Sequence, residues 1–148
     1  MPAISMDRQI LAALKAKLSE LTWAKSVNYE SPKLLFSDFR DHEIPGIQFY
    51  DGGQLITHEG PRVKCDWDII IELVLKKKSS MTVNQLELMD YKHDIELKIG
   101  ANVNLGIPGV IHAKYSNSVT DLHSVDGFYT ATLTFSVMFY KDFTGTCG

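Results

Sequence analysis

The stretch Trp67-Asp68-Ile69-Ile70-Ile71-Glu72-Leu73-Val74-Leu75-Lys76 decides how this chain is read. Trp67, Ile69, Ile71, Leu73 and Leu75 take every second position, while Asp66, Asp68, Glu72 and Lys76 share the alternate face with Ile70 and Val74. Successive side chains of a strand point to opposite faces, so the pattern predicts a long strand buried on one face and half covered on the other. Downstream, Thr82-Val83-Asn84-Gln85 matches a capping box, in which threonine and glutamine side chains satisfy exposed amides at a helix start. The helix begins near Val83, with Leu88, Tyr91, Ile95 and Ile99 on one stripe and Leu86, Met89, His93 and Leu97 on an adjoining one. That broad apolar arc suits a helix packed on a sheet, and Gly100 stands where a left-handed stop is expected.

The final strand reads as clearly as the first. Tyr129, Ala131, Leu133, Phe135, Val137 and Phe139 alternate with Thr130, Thr132, Thr134 and Ser136. Residues 109–115 read as a shorter strand, residues 116–127 as a polar loop, and residues 142–148 as a tail. Upstream, Ile10, Leu11, Leu14, Leu18 and Leu21 recur at three- and four-residue steps, which predicts a helix over residues 6–21. Ser5 is its expected N-cap, and Asp7 lies in the first turn, where the helix dipole favours negative charge. Residues 23–29 suit a short extended piece; Ser31-Pro32 and residues 37–43 suit a loop. Ile44-Pro45-Gly46-Ile47-Gln48-Phe49-Tyr50 reads as a short strand leaving into an Asp51-Gly52-Gly53 turn, and residues 54–64, with Gly60-Pro61, as a long loop or irregular hairpin arm.

The expected architecture is a single α+β domain over residues 1–148. It is a two-layer sandwich whose mixed, mostly antiparallel sheet carries two main helices on one face. The strand–helix–strand segment between Trp67 and Tyr115 suits a right-handed crossover, with the last strand pairing antiparallel. The composition agrees: 148 residues, 45% hydrophobic and 22% charged, make one domain with a core that closes without metals or disulfides. A formal charge of −3 excludes a chain that is basic throughout and clamps nucleic acid. No apolar run approaches the roughly 20 residues that span a bilayer, and the N-terminus lacks a secretory pattern, so synthesis in a cytoplasm without membrane contact is expected. Cys65 and Cys147 accompany no motif and read as reduced thiols.

Chemistry is hard to find. His93 lies between Asp90 and Asp94, Asp38 lies near Asp41, His42 and Glu43, and Asp121 lies near His123 and Asp126. None of these groups has the spacing of a zinc or calcium site, so each reads as a solvated helix or loop. No serine or cysteine sits in a strand-to-helix elbow, and Gly52-Gly53, Gly106 and Gly109 are turns and not phosphate loops. No enzyme, metal or cofactor is expected. Lys76-Lys77-Lys78 reads first as a solvated strand end and second as a contact for DNA or an acidic partner. Long strands leave edges whose amides and carbonyls must be covered, which makes self-association the physical expectation.

The pattern resembles the tail terminator (tail completion) proteins of long-tailed bacteriophages over nearly its whole length. The features that carry the resemblance are the N-terminal amphipathic helix, the Ile44-to-Tyr50 segment with its glycines, the tryptophan-containing strand, the capped helix, and the ending Tyr129-Thr130-Ala131-Thr132-Leu133-Thr134-Phe135-Ser136-Val137-Met138-Phe139-Tyr140. The loop at residues 116–127 and the cysteine-containing tail depart from it. The resemblance implies a non-enzymatic virion protein. It would form a hexameric ring on the head-proximal end of the tail tube, stop tube growth and offer a joining surface to the head connector. Its partners would be itself, the tube protein and the connector. Genomic DNA would pass through the ring without sequence reading, past six copies that together carry −18 at −3 each. Under this reading the segment around Asp51, Gly52, Gly53, His58, Arg62 and Lys64 is an inter-subunit or tube contact, with an ordinary loop as the alternative. Lys76, Lys77 and Lys78 would face a protein partner or solvent. Two other readings stay open: another neck or head-closure protein, and a small α/β ligand-binding or regulatory module.

Overall fold

A computed structural model describes residues 5–30, 33, 39–76, 81–100, 105–125 and 127–142. Lys77, Lys78, Asp38, Asp126, Cys147 and the tail beyond Asp142 lie outside the described residues, as do the side chains of Thr82, Asp121 and His123. Among the described residues five strands pair in one sheet: β1 (Ser26–Asn28), β2 (Gly46–Glu59), β3 (Arg62–Lys76), β4 (Val110–Val125) and β5 (Phe128–Asp142). Their spatial order is β1-β2-β3-β5-β4, with β1 parallel to β2 and every other neighbouring pair antiparallel. Two helices, α1 (Met6–Leu18) and α2 (Met81–Gly100), complete the expected α+β sandwich.

β5 lies inside the sheet, between β3 and β4. It pairs with β3 over its entire length, from Arg62 opposite Asp142 to Lys76 opposite Phe128, without a register shift. β3 and β4 therefore run parallel with β5 between them, and the crossover that carries α2 skips one position in the sheet. Strand alternation builds the core: Cys65, Trp67, Ile69, Ile71 and Leu73 on β3 and Ala131, Leu133, Phe135 and Phe139 on β5 are buried beneath the helices. α1 contributes Ile10, Leu14 and Leu18, each fully buried, and α2 contributes Leu88, Ile95 and Ile99. Each such aliphatic side chain contributes about 1.5–3 kcal/mol by leaving water. Ser5 caps α1 as expected, its hydroxyl accepting from the Arg8 amide at 3.1 Å. Trp23 rests against Tyr91 with ring centroids 4.4 Å apart and donates its indole N–H to Asp94 at 3.0 Å, tying the segment after α1 to α2.

Among the described residues, the opposite face of the sheet is covered at one end. Phe39 and Ile44 pack on Val74 there. Gln48, 1% exposed, accepts from the Lys33 amide at 2.7 Å and donates to the Lys33 carbonyl at 3.0 Å and to Glu72 at 2.9 Å. A buried carboxamide with both ends satisfied pins the crossing segment to the sheet.

Several expectations need correction. α1 ends at Leu18 and not at residue 21, although Leu21 is still buried in the turn that follows. Asp51-Gly52-Gly53 is no turn: β2 continues through it to Glu59 with a bulge between Asp51 and Gln54, and the chain reverses at Gly60-Pro61. Of the two readings of residues 54–64, the hairpin arm is the one found. Residues 116–125 are strand and not loop, because β5 offers a ladder that a polar sequence joins as readily as an apolar one. Gly100 is the last residue of α2 and does not adopt the left-handed conformation.

Candidate assembly surface

The sequence-predicted contact residues fall on the β2–β3 hairpin, whose outer half forms an arm. β1 pairs with β2 only from Gly46 to Gln48, so the β2 edge from Phe49 to Glu59 has no neighbour among the described residues. The arm is set by one carboxylate oxygen. Oδ1 of Asp51 accepts from the indole N–H of Trp67 at 2.8 Å and from the Gly53 amide at 2.7 Å, fixing the bulge against the core. Gly52 is required by close approach: a Cβ there would lie 2.8 Å from the Asp68 carbonyl oxygen and 2.8 Å from Cγ1 of Ile70. Gly53 is required by its φ of +108°, with open space around it. Asp51, Gly52 and Gly53 thus shape the arm from within, a role distinct from touching a neighbour.

Beyond the bulge, Gln54 donates to Asp7 at 2.8 Å, and Lys141 lies 3.2 Å from the other oxygen of the same carboxylate, which holds the base of the arm to the start of α1. Leu55 and Ile56 follow, 68% and 44% exposed. His58 and Glu59 are exposed, Arg62 stacks on the Tyr140 ring at 4.0 Å, and Lys64 stands 3.8 Å from Asp66. Cys65, on the inner face of the arm, is fully buried, and burial pushes its thiol pKa up.

Lys76 does not join this group. It sits at the other end of β3, about 46 Å from Arg62 along a strand rising about 3.3 Å per residue, and its ammonium lies 3.0 Å from Asp41. Both side chains are largely exposed, so the pair contributes little. Glu43 accepts from the Arg40 amide at 2.9 Å, closing the short 3₁₀ turn of Asp41–Glu43; that amide holds its carboxyl below the ordinary range. His93 Nδ1 is 3.9 Å from Glu96, and Asp94 is engaged by Trp23, so these polar residues serve α2 and its neighbours. No three metal-ligating side chains converge among the described residues.

One feature contradicts the sequence reading of α2. Of its two adjoining stripes, the one through Leu88, Ile95 and Ile99 is buried; Leu86, Met89 and Leu97 are 57%, 49% and 58% exposed. Ile111 and Val119 on β4, the far edge strand, are likewise 45% and 60% exposed. The spacing of the second stripe was visible in the sequence, but the side from which the sheet approaches was not. An α+β sheet protein with a β2 edge unpaired among the described residues at one flank and exposed apolar side chains at the other is the class these observations define. No protein-family model matches the chain, and no curated protein matches it.

Proposed function

We propose that this chain is a non-enzymatic structural protein of a phage virion, a tail terminator. Six copies form a ring on the head-proximal end of the tail tube, stop its polymerisation and present the joining surface to the head connector. The observation that carries the reading is the separation of two flanks that have no strand partner among the described residues. The open β2 edge and arm, with Leu55 and Ile56, stand at one side of the sheet, and the β4 edge, with Ile111 and Val119, stands at the other. Exposed apolar groups and unpaired strand edges are sites of association, and a contact between two different surfaces is head-to-tail. Such a contact closes into a ring of six when each copy is rotated by a sixth of a turn, and a ring whose two faces differ can seat on a tube with one and refuse further subunits with the other. The order of helix, strands, crossover helix and strands supports the resemblance drawn from the sequence.

The test is electron microscopy of tails assembled with and without the protein. Tubes of regulated length with an added terminal density support capping; unregulated tubes and bare ends in both samples refute it. Leu55→Asp, placed on the arm, should abolish terminal density while leaving the thermal midpoint unchanged, because the side chain it replaces is 68% exposed.

A further inference from the structure

The solvent side of α2 is self-complementary. Val83, Leu86, Asp90, His93, Leu97 and Gly100 are all exposed and succeed one another at steps of three, four, three, four and three residues. That is the a/d spacing of a coiled-coil seam, laid along about 26 Å of helix at 1.5 Å per residue. Against a second copy running the other way, with the two-fold axis midway between Asp90 and His93, every seam residue meets a suitable mate. Leu86 faces the other copy's Leu97, Asp90 faces its His93, and Val83 faces its Gly100, around whose missing Cβ the structure leaves open space. Each contact occurs twice.

We infer that α2 is a docking surface for α2 of a second copy of this chain, packed antiparallel in a two-fold contact. Charge selects this partner and register. Asp90 has no ion pair among the described residues, and 65% of the His93 side chain is exposed; with Nδ1 3.9 Å from Glu96 of its own helix, the Nε2 side of the ring is the one that meets the carboxylate across the axis. A parallel arrangement would set Asp90 against Asp90 and leave two carboxylates facing each other. The contact is isologous, whereas ring closure is head-to-tail, so it goes beyond the ring reading and stands without it. A seam this short falls at the small end of specific interfaces, so association follows concentration.

Analytical ultracentrifugation of the full chain across a wide concentration range tests it. The wild type should show a concentration-dependent doubling of mass, from chain to pair or from ring to double ring. Leu86→Asp and Leu97→Lys, each at an exposed position, should separately weaken the doubling roughly tenfold or more, since each sets an uncompensated charge against leucine. Combined in one chain, they set Asp against Lys twice and should restore it. Leu86→Asp with Met89→Lys carries the same charges out of register and should not. A wild type that never doubles, single variants that double normally, or rescue by the out-of-register pair would each overturn the inference. Microscopy of capped tails judges the ring reading separately.

Discussion

Replacing Asp51 with alanine should destabilise the domain through a residue it does not itself bury. Trp67 is 2% exposed, and its indole N–H has the Asp51 oxygen as its acceptor at 2.8 Å. Without that oxygen a buried donor loses its partner, which costs about 1–3 kcal/mol. The Gly53 amide, the second donor to the same oxygen, sits at an exposed bulge where water can replace the contact, so it adds little. A loss of about 2 kcal/mol lowers the thermal midpoint of a domain this size by about 4–8 °C. Thermal unfolding followed by near-ultraviolet circular dichroism reads both the midpoint and the tryptophan environment. Asp51→Asn keeps an acceptor oxygen and should cost under about 1 kcal/mol. In a Trp67→Phe background, where no indole N–H remains, Asp51→Ala should lose most of its effect. An Asp51→Ala cost below about 0.5 kcal/mol, or an equal cost in both backgrounds, would refute the claim that this bond sets the arm.

The neighbouring glycines should respond for different reasons. Gly52→Ala forces the backbone away from Asp68 and should cost about 1–3 kcal/mol, whereas Gly53→Ala meets no atom and should cost about 1–3 kcal/mol through conformational strain alone. Urea titration measures both, and a neutral Gly52→Ala would mean the bulge is not packed as described. In a Cys147→Ser variant, Cys65 should resist thiol reagents in the native state and react fully once unfolded, since it is 0% exposed and burial raises its pKa; prompt native labelling would contradict its burial. The Arg40 amide lowers the Glu43 pKa below 4.5, so the folded state holds that proton more weakly than the unfolded chain. Its stabilising contribution is present above pH 4.5 and lost as pH falls through the lowered folded value, so Glu43→Gln should flatten the acid limb of stability against pH. An unchanged acid limb would remove the cap from the account.

Legibility in the sequence followed burial. α1, β3 and β5 each bury one periodic face, and Ile10, Leu14, Trp67, Ile69, Leu133 and Phe135 announce it residue by residue. The outer half of β2 and the stretch of β4 around Val119 do not: Leu55 and Val119 are exposed, and pairing comes from the strand alongside. Polar residues at such positions satisfy the ladder and mimic a loop. Gly52-Gly53 signalled a turn by composition, yet one glycine answers to crowding against Asp68 and the other to its backbone angle. Nothing at residue 51 pointed to residue 67. On α2 both apolar stripes were visible, but which one met the sheet depended on a crossover that reserves room for β5, and that topology has no local signature.

The insertion of β5 between β3 and β4 also orders events in time. A ribosome adding about 5–20 residues per second needs roughly 3–13 s to proceed from the end of β3 to the end of β5. Throughout that interval the edge of β3 that pairs with β5 in the finished sheet has no ladder partner. The nascent chain is therefore most vulnerable to mispairing with other polypeptides just before its last strand emerges. A chaperone that shields β3 during those seconds would raise the yield of native protein more than one that arrives after synthesis of β5 is complete.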